Sequence, residues 1–189
     1  MDAVSREEKV KKIKDMFVSL IWFSTRHFSQ WLQTFGLTAP QFFALASLSC
    51  HKNPCTMRDL TEVTIQDPPT MTGIIDRLVK MKLVKRTRSE VDRRVVLVQP
   101  TETGVELVKR INEEASQEAL KSYQTLADED LEALEQSLYY LLRLQVSRQT
   151  SLTGDALDAE VQKTIFFRDD PIHFMKVNDE SSLQQPVES

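Results

Sequence analysis

The apolar positions at the start of the chain repeat every three or four residues, which predicts a long amphipathic helix over residues 5 to about 33. The apolar face of this helix carries Val10, Ile13, Phe17, Leu20, Phe28 and Trp31. Gly36 is expected to end it, and Thr38 to cap a second helix over about 39–50, whose first turn tolerates Pro40. The connection between the two helices is therefore expected to be short.

Two shorter helices are predicted next along the chain. Thr56, with Asp59 three residues later, has the pattern of a helix N-cap, so a short helix should follow it. Asp67 precedes two prolines and an apolar stripe, which predicts a further helix over about 68–81. Two short helices joined by a brief turn are a candidate helix-turn-helix, although such pairs also occur as simple packing units.

The hydrophobic period then changes from that of a helix to that of strands. Residues 83–88 and 95–98 have strand composition, and the polar segment SEVDRR between them predicts a hairpin. Thr101 is predicted to cap a helix that reaches about Tyr123, and Asp128 to open a last long helix rich in leucine. The expected fold class is therefore mainly α with a small β-hairpin.

From Gly154 onwards the apolar pattern weakens. Residues 155–167 are predicted to form one more helix that packs on the body of the protein. Residues 168–189 show no sustained period, so a poorly ordered tail is expected there.

The length and composition suit one soluble domain, either alone or with an appendage, and one compact unit is expected. Of the 189 residues, 41% are hydrophobic and 28% charged, and no apolar run approaches the roughly 20 residues that cross a bilayer. The charged N-terminus lacks a secretory signal, so a cytoplasmic protein without a membrane partner is expected. With only four glycines there is no nucleotide cradle, and the common hydrolase motifs are missing from the sequence. Neither enzymatic activity nor a cofactor is expected.

The distribution of charge is more informative than the net charge of −4. Residues 56–94 contain nine basic and six acidic side chains, whereas residues 95–189 contain eight basic and 18 acidic ones. Exposed charges more than about 10 Å apart are largely screened at 0.1 M salt, so distant acidic residues do not prevent a basic segment from meeting phosphate. Net charge therefore does not exclude DNA binding.

The predicted hairpin has a chemistry that suits DNA. Arg93 and Arg94 lie at its tip, where they could reach the narrow minor groove while the preceding helix reads the major groove. Asp92 is expected to brace a neighbouring arginine. A basic hairpin can also be merely a solvated face, and that reading applies equally to Arg86 and Arg88.

Several segments together resemble one known family. They are T-A-P-Q-F-F-A-L at 38–45, T-M-R-D-L at 56–60, T-M-T-G-I-I-D-R-L at 70–78, L-V-K-R at 83–86 and D-R-R-V-V-L-V-Q-P-T-E-T-G at 92–104. In order and spacing, over about residues 10–148, the chain resembles the MarR family of bacterial transcription regulators.

The resemblance implies a winged helix-turn-helix fold with a helical dimerisation region. Residues 1–36 and 101–150 would form the dimerisation region, residues 37–100 the DNA-binding lobe, and residues 151–189 a C-terminal extension. Within the lobe, residues 68–81 would be the recognition helix and residues 83–99 the wing. A homodimeric repressor on a pseudo-palindromic double-stranded DNA site is implied, with recognition helices about 34 Å apart.

The resemblance also implies which residues contact DNA. The set is Thr56, Arg58, Pro69, Thr70, Met71, Thr72, Asp76, Arg77, Arg86, Arg88, Arg93 and Arg94. One position departs from the family pattern, because Gly73 stands where relatives often carry arginine or lysine. The loss of that cation puts the base preference of the recognition helix in doubt.

Regulation by a small aromatic or phenolic effector is also implied by the resemblance. Trp22, Arg26, His27 and Trp31 on the first helix are candidate ligand-binding residues, although aromatic residues on such a helix usually belong to a core or dimer interface.

Two alternatives to an effector-controlled regulator remain open. Cys50 and Cys55 would make a thiol-responsive regulator only if a thiolate were exposed, and they provide too few ligands for a metal site. A winged-helix module that contacts proteins, with the acidic tail as its docking segment, is the other alternative.

Overall fold

The computed structural model describes residues 5–50, 53–64 and 66–164. The elements in these ranges are α1 (Arg6–Gln33), α2 (Ala39–Cys50), β1 (Cys55–Thr56), α3 (Met57–Thr64), α4 (Pro68–Lys80), β2 (Val84–Arg88), β3 (Val96–Pro100), α5 (Glu102–Tyr123), α6 (Asp128–Gln149) and α7 (Gly154–Thr164). The chain divides into two compact units, Met1–Phe43 and Ala44–Ser189. No helix within the described ranges is long and apolar enough to cross a membrane. The mainly α fold class with a small hairpin is confirmed.

The first unit is dominated by α1, whose predicted extent is confirmed. Ser5 caps the helix reciprocally, because its hydroxyl accepts from the Glu8 amide at 3.2 Å and its own amide donates to the Glu8 carboxylate at 2.9 Å. The C-terminal part of α1 carries an aromatic cluster in which Phe28 contacts Trp31 and Phe42, with ring centroids 6.0 and 5.7 Å apart. The N-terminal part leaves its apolar side chains exposed.

The helix-turn-helix lies in the second unit, and local caps explain both of its helices. The Thr56 amide donates to the Asp59 carboxylate at 2.7 Å, and the Asp59 amide donates to the Thr56 hydroxyl at 3.2 Å, which starts α3. Asp67 caps α4, with two prolines in the first turn. Ile74, Ile75 and two further residues of α4 are buried in the core of this unit, as the apolar stripe predicts.

A three-stranded antiparallel sheet follows the helix-turn-helix. Its strand order is β1-β3-β2, so β3 lies in the middle. The pairing of β2 with β3 runs from Val84 opposite Pro100 to Arg88 opposite Val96, which confirms the predicted hairpin. The two-residue strand β1, which pairs Cys55 with Val98, was not predicted because so short a strand has no period of its own.

The junction between the sheet and α5 explains the T-E-T-G segment. The Thr101 hydroxyl accepts from the Gly104 amide at 3.1 Å and donates to the Lys82 carbonyl at 2.8 Å, so one side chain caps α5 and ties it to the end of α4. A Cβ on Gly104 would collide with the Leu83 carbonyl oxygen and come within 3.2 Å of Leu45 Cδ1. Glycine is therefore required where α5 begins.

The predicted helix in the C-terminal extension is confirmed as α7, which packs on α6. Arg143 Nε and the Tyr139 hydroxyl donate to Asp158 Oδ1 at 2.6 and 3.0 Å. The hydrogen bond from Arg143, and then that from Tyr139, lowers the pKa of Asp158. Beside these bonds, Val146 packs with two buried residues of α7. The predicted tail at residues 168–189 lies outside the described residues.

Candidate nucleic-acid interface

The exposed face of α4 carries four of the twelve residues predicted to contact DNA. The exposed residues are Pro68, Pro69, Thr70, Thr72, Gly73, Arg77 and Lys80. Lys80, three residues after Arg77 and on the same helical face, is a further exposed cation that the sequence prediction did not include. The prediction that Met71 contacts DNA is wrong, because its side chain is 0% exposed and belongs to the core stripe.

The N-terminus of α4 is held by Asp67. Its carboxylate accepts from the Thr70 amide at 2.9 Å and from the Thr70 hydroxyl at 2.8 Å. These bonds, the amide bond first, lower the pKa of Asp67. The cap stays ionised at neutral pH, so the exposed start of α4 carries a negative charge.

An ion pair joins the recognition helix to the wing. Arg86 on β2 donates through its guanidinium to the Asp76 carboxylate on α4. Both residues were predicted to contact DNA, whereas here they contact each other across ten residues of sequence. The pair is a direct side-chain contact between α4 and the hairpin.

The wing tip is a tight turn ordered by Asp92. Its carboxylate accepts from the Arg94 amide at 2.9 Å, and its carbonyl accepts from the Val95 amide at 2.9 Å. The predicted brace therefore acts on the backbone of Arg94 and not on a guanidinium. Ser89 closes the other side of the turn, since its amide donates to the Val95 carbonyl at 3.0 Å.

Three wing arginines are available for an anionic partner. Arg88, Arg93 and Arg94 are exposed, and within the part of the chain that the structure describes no carboxylate pairs with their guanidinium groups. The wing therefore exposes three guanidinium groups whose charge is not neutralised by a carboxylate of the described residues.

The start of α3 presents the two remaining residues predicted to contact DNA. The Thr56 side chain is half-buried and its hydroxyl is used in the cap of α3, while Arg58 is exposed in the first turn. Both lie in the same unit as α4 and the wing.

The candidate ligand-binding residues do not form one cluster within the chain. On the uninterrupted helix α1, Trp22 and Trp31 are nine residues apart and point in directions that differ by about 180°. Trp22 is 65% exposed beside Arg26, whereas Trp31 packs on Phe28 and Phe35. His27 is exposed, and on α1 it points towards the same side of the helix as Trp31 and away from Trp22.

Both cysteines of the thiol-responsive alternative are buried. Cys50 is 6% and Cys55 3% exposed, so neither presents the accessible thiolate that such a switch requires. The Cys55 thiol lies 3.8 Å from the Asn53 carbonyl oxygen. The structure argues against this alternative.

Comparison with known proteins decides the family. The model of the MarR family matches residues 37–96. The HTH-type transcriptional regulator YfiV of Bacillus subtilis is 31% identical over 115 residues, which cover 61% of this chain and 71% of YfiV. The chain belongs to the MarR family. The organic hydroperoxide resistance transcriptional regulator of the same organism is a further relative, 30% identical over 118 residues, which cover 62% of this chain and 78% of that protein.

Solved structures agree with the MarR-family fold. A variant of Staphylococcus aureus MepR superposes with a TM-score of 0.64 at 22% identity, covering 68% of this chain and 95% of MepR. A second MepR variant, bound to an oligodeoxyribonucleotide, gives a TM-score of 0.56 at 21% identity over the same shares of the two chains. MarR-family proteins are DNA-binding transcription regulators and not enzymes, which confirms the prediction for this chain.

Proposed function

We propose that this MarR-family regulator is a homodimeric repressor that binds a specific DNA sequence, with α4 in the major groove and the wing in the minor groove. One observation carries the proposal: an exposed recognition helix lies in the same unit as a hairpin on which Arg88, Arg93 and Arg94 have no carboxylate partner among the described residues. A DNA duplex offers complementary surfaces to both, because its minor groove concentrates negative potential and its major groove admits a helix.

The wing supplies the electrostatic part of this contact. Arg93 and Arg94 are exposed on a turn that Asp92 orders through the backbone, so little ordering is left to occur on binding. Arg77 and Lys80, at the C-terminal end of α4, are placed to meet phosphates at the edge of the major groove. The DNA-bound variant of MepR supports this assignment by analogy of fold.

Exposed apolar surface supports the homodimer. On α1, Phe23 is 70% exposed, and the other exposed apolar residues of this helix are Val10, Ile13, Met16, Val18, Leu20, Ile21 and Trp22. On α6, Leu134, Leu138 and Leu144 are also exposed. Apolar patches of this extent mark interfaces, and a two-fold partner would bury them. We therefore assign residues 1–36 and 101–150 to dimerisation and residues 37–100 to DNA binding.

A two-fold dimer sets the form of the operator. Two symmetry-related copies of α4 about 34 Å apart would contact a pseudo-palindromic site in successive turns of the major groove. A small aromatic or phenolic effector that fixes the two lobes at another spacing would lower DNA affinity and relieve repression. Trp22 and Arg26, one turn apart and exposed on α1, are the residues we assign to such a ligand.

A salt titration of DNA binding tests the proposal. The full chain should retain a labelled duplex from the region upstream of its own gene in the presence of excess unrelated DNA. The logarithm of the association constant should fall with the logarithm of salt concentration with a slope between about −5 and −9, as for six to ten phosphate contacts. A shuffled duplex of equal length and composition is the matched control. Equal retention of both duplexes, or none at low salt, would contradict sequence-specific binding.

A further inference from the structure

The first turn of α4 offers no backbone donor to a ligand. Pro68 and Pro69 have no N–H group, the Thr70 amide donates to the Asp67 carboxylate at 2.9 Å, and the Met71 amide donates to the Asp67 carbonyl at 2.9 Å. From Thr72 onwards the amides belong to the hydrogen-bond ladder of the helix itself. This helix N-terminus therefore cannot bind phosphate in the usual way, through free amides.

The hydroxyl protons of Thr70 and Thr72 are also used in hydrogen bonds near the start of α4. Thr70 Oγ1 lies 2.8 Å from Asp67 Oδ2, and Thr72 Oγ1 lies 2.9 Å from the Pro68 carbonyl oxygen. A carboxylate and a carbonyl can only accept, so each hydroxyl must be the donor in its bond. What each threonine presents to the outside is a pair of acceptor lone pairs and a methyl group.

Gly73 completes this surface without adding a donor. A Cβ at this position would meet nothing within 4 Å, so the fold itself does not require glycine here. The absence of a side chain allows the helix to approach a ligand closely and keeps the neighbouring Thr72 hydroxyl accessible. Within Pro68–Gly73, all of which the structure describes, the exposed groups able to form hydrogen bonds are acceptors.

From this inventory we infer that the N-terminal half of α4 reads exocyclic amino groups, N6 of adenine or N4 of cytosine, in the major groove. The other polar groups on the groove edges, N7 and O6 of guanine, N7 of adenine and O4 of thymine, are acceptors, as are phosphate oxygens, and two acceptors do not bond. The negative charge of Asp67 disfavours phosphate further. The exposed donors of α4 are Arg77 and Lys80 in its C-terminal half, so the two halves of the helix offer different hydrogen-bonding groups to DNA. This inference rests on the proposed function.

Methylated bases test the inference. Duplexes are first selected from a random pool by the full chain, and each adenine and cytosine of one half-site is then replaced in turn by N6-methyladenine or N4-methylcytosine. Both analogues still pair, but the methyl group replaces the amino hydrogen that faces the major groove. We expect the wild-type chain to lose about three- to tenfold in affinity at one or two positions, the value of a lost hydrogen bond.

Variants of Thr72 link that loss to the helix. Thr72→Val keeps the shape but removes the acceptor, so affinity for the unmodified duplex should fall and the effect of methylation at the contacted base should disappear. Thr72→Ser keeps the acceptor and should retain the sensitivity. If the Thr72→Val variant remains as sensitive to methylation as the wild type, Thr70→Val must remove the sensitivity and Thr70→Ser must retain it, because Thr70 carries the other exposed hydroxyl of Pro68–Gly73.

The outcomes separate this inference from the proposed function. If no duplex is enriched from the pool, the proposed function fails and the inference fails with it. If a duplex is enriched but no methyl group changes its affinity, or if the sensitivity persists in both valine variants, DNA binding stands and the inference is wrong. A half-site in which 7-deazaguanine is the only harmful substitution would also overturn it, because no amino group of a base would then contact the N-terminal half of α4.

Discussion

Replacing Arg93 and Arg94 together by alanine should lower DNA affinity by at least about 100-fold at 0.1 M salt. A two-fold dimer carries two wings, so the change removes four guanidinium groups from the complex. Each is exposed, and among the described residues none is neutralised by a carboxylate. The slope of the salt dependence should become shallower by up to about four, since fewer counterions are released. Fluorescence anisotropy of the operator duplex over a salt series measures both quantities.

A matched double variant separates local contact from net charge. Lys109 and Lys121 are exposed on α5, and replacing both by alanine removes the same number of charges outside the wing. We expect this variant to bind nearly as tightly as the wild type. Equal losses in the two double variants would mean that overall charge, and not the wing, drives binding. Unchanged DNA affinity in the wing variant would contradict the assignment of the wing to the minor groove.

The second large effect concerns stability. Gly104→Ala should destabilise the fold by about 1–3 kcal/mol or more, because a Cβ there collides with the backbone carbonyl of Leu83. That carbonyl accepts from the Thr101 amide at 2.9 Å, so it cannot move without breaking the junction between the sheet and α5. Urea unfolding followed by circular dichroism should show a lower midpoint. Full stability in this variant would mean that the close approach of α5 to Leu83 is not as described.

Gly73→Ala is the matched control, because it places the same methyl group on a helix with nothing within 4 Å. Alanine is the better helix former, so this variant should be more stable than the wild type by about 0.5–1 kcal/mol. The two glycine substitutions should therefore shift the unfolding midpoint in opposite directions. Shifts of the same sign would show that helix propensity, and not local space, determines both results.

The helices could be predicted from sequence because their ends are encoded locally. Thr56 with Asp59, Asp67 with Thr70, and the Thr101 hydroxyl each form the expected cap within three residues of the helix start. A cap of this kind needs no information from the rest of the chain. The boundaries of α2, α4 and α5 consequently agree with the sequence pattern to within one residue.

Features that depend on contacts distant in sequence could not be predicted. The strand β1 exists only because β3 offers it hydrogen bonds, and the ion pair of Asp76 with Arg86 needs the hairpin folded back towards α4. Met71 was placed on the DNA face by family resemblance, although its own apolar periodicity already put it in the core. Lys82 has a left-handed φ of 61°, which its residue type does not signal.

The central claim is that two chains, each contributing a recognition helix and a wing, bind one duplex. Sedimentation equilibrium of the full chain with its selected duplex tests this most directly, because it measures the mass of the complex without a structural assumption. We predict a complex whose mass is that of the duplex plus twice the 21.8 kDa of one chain. A complex containing a single chain, or a protein that stays at 21.8 kDa and does not sediment with the duplex, would contradict the account.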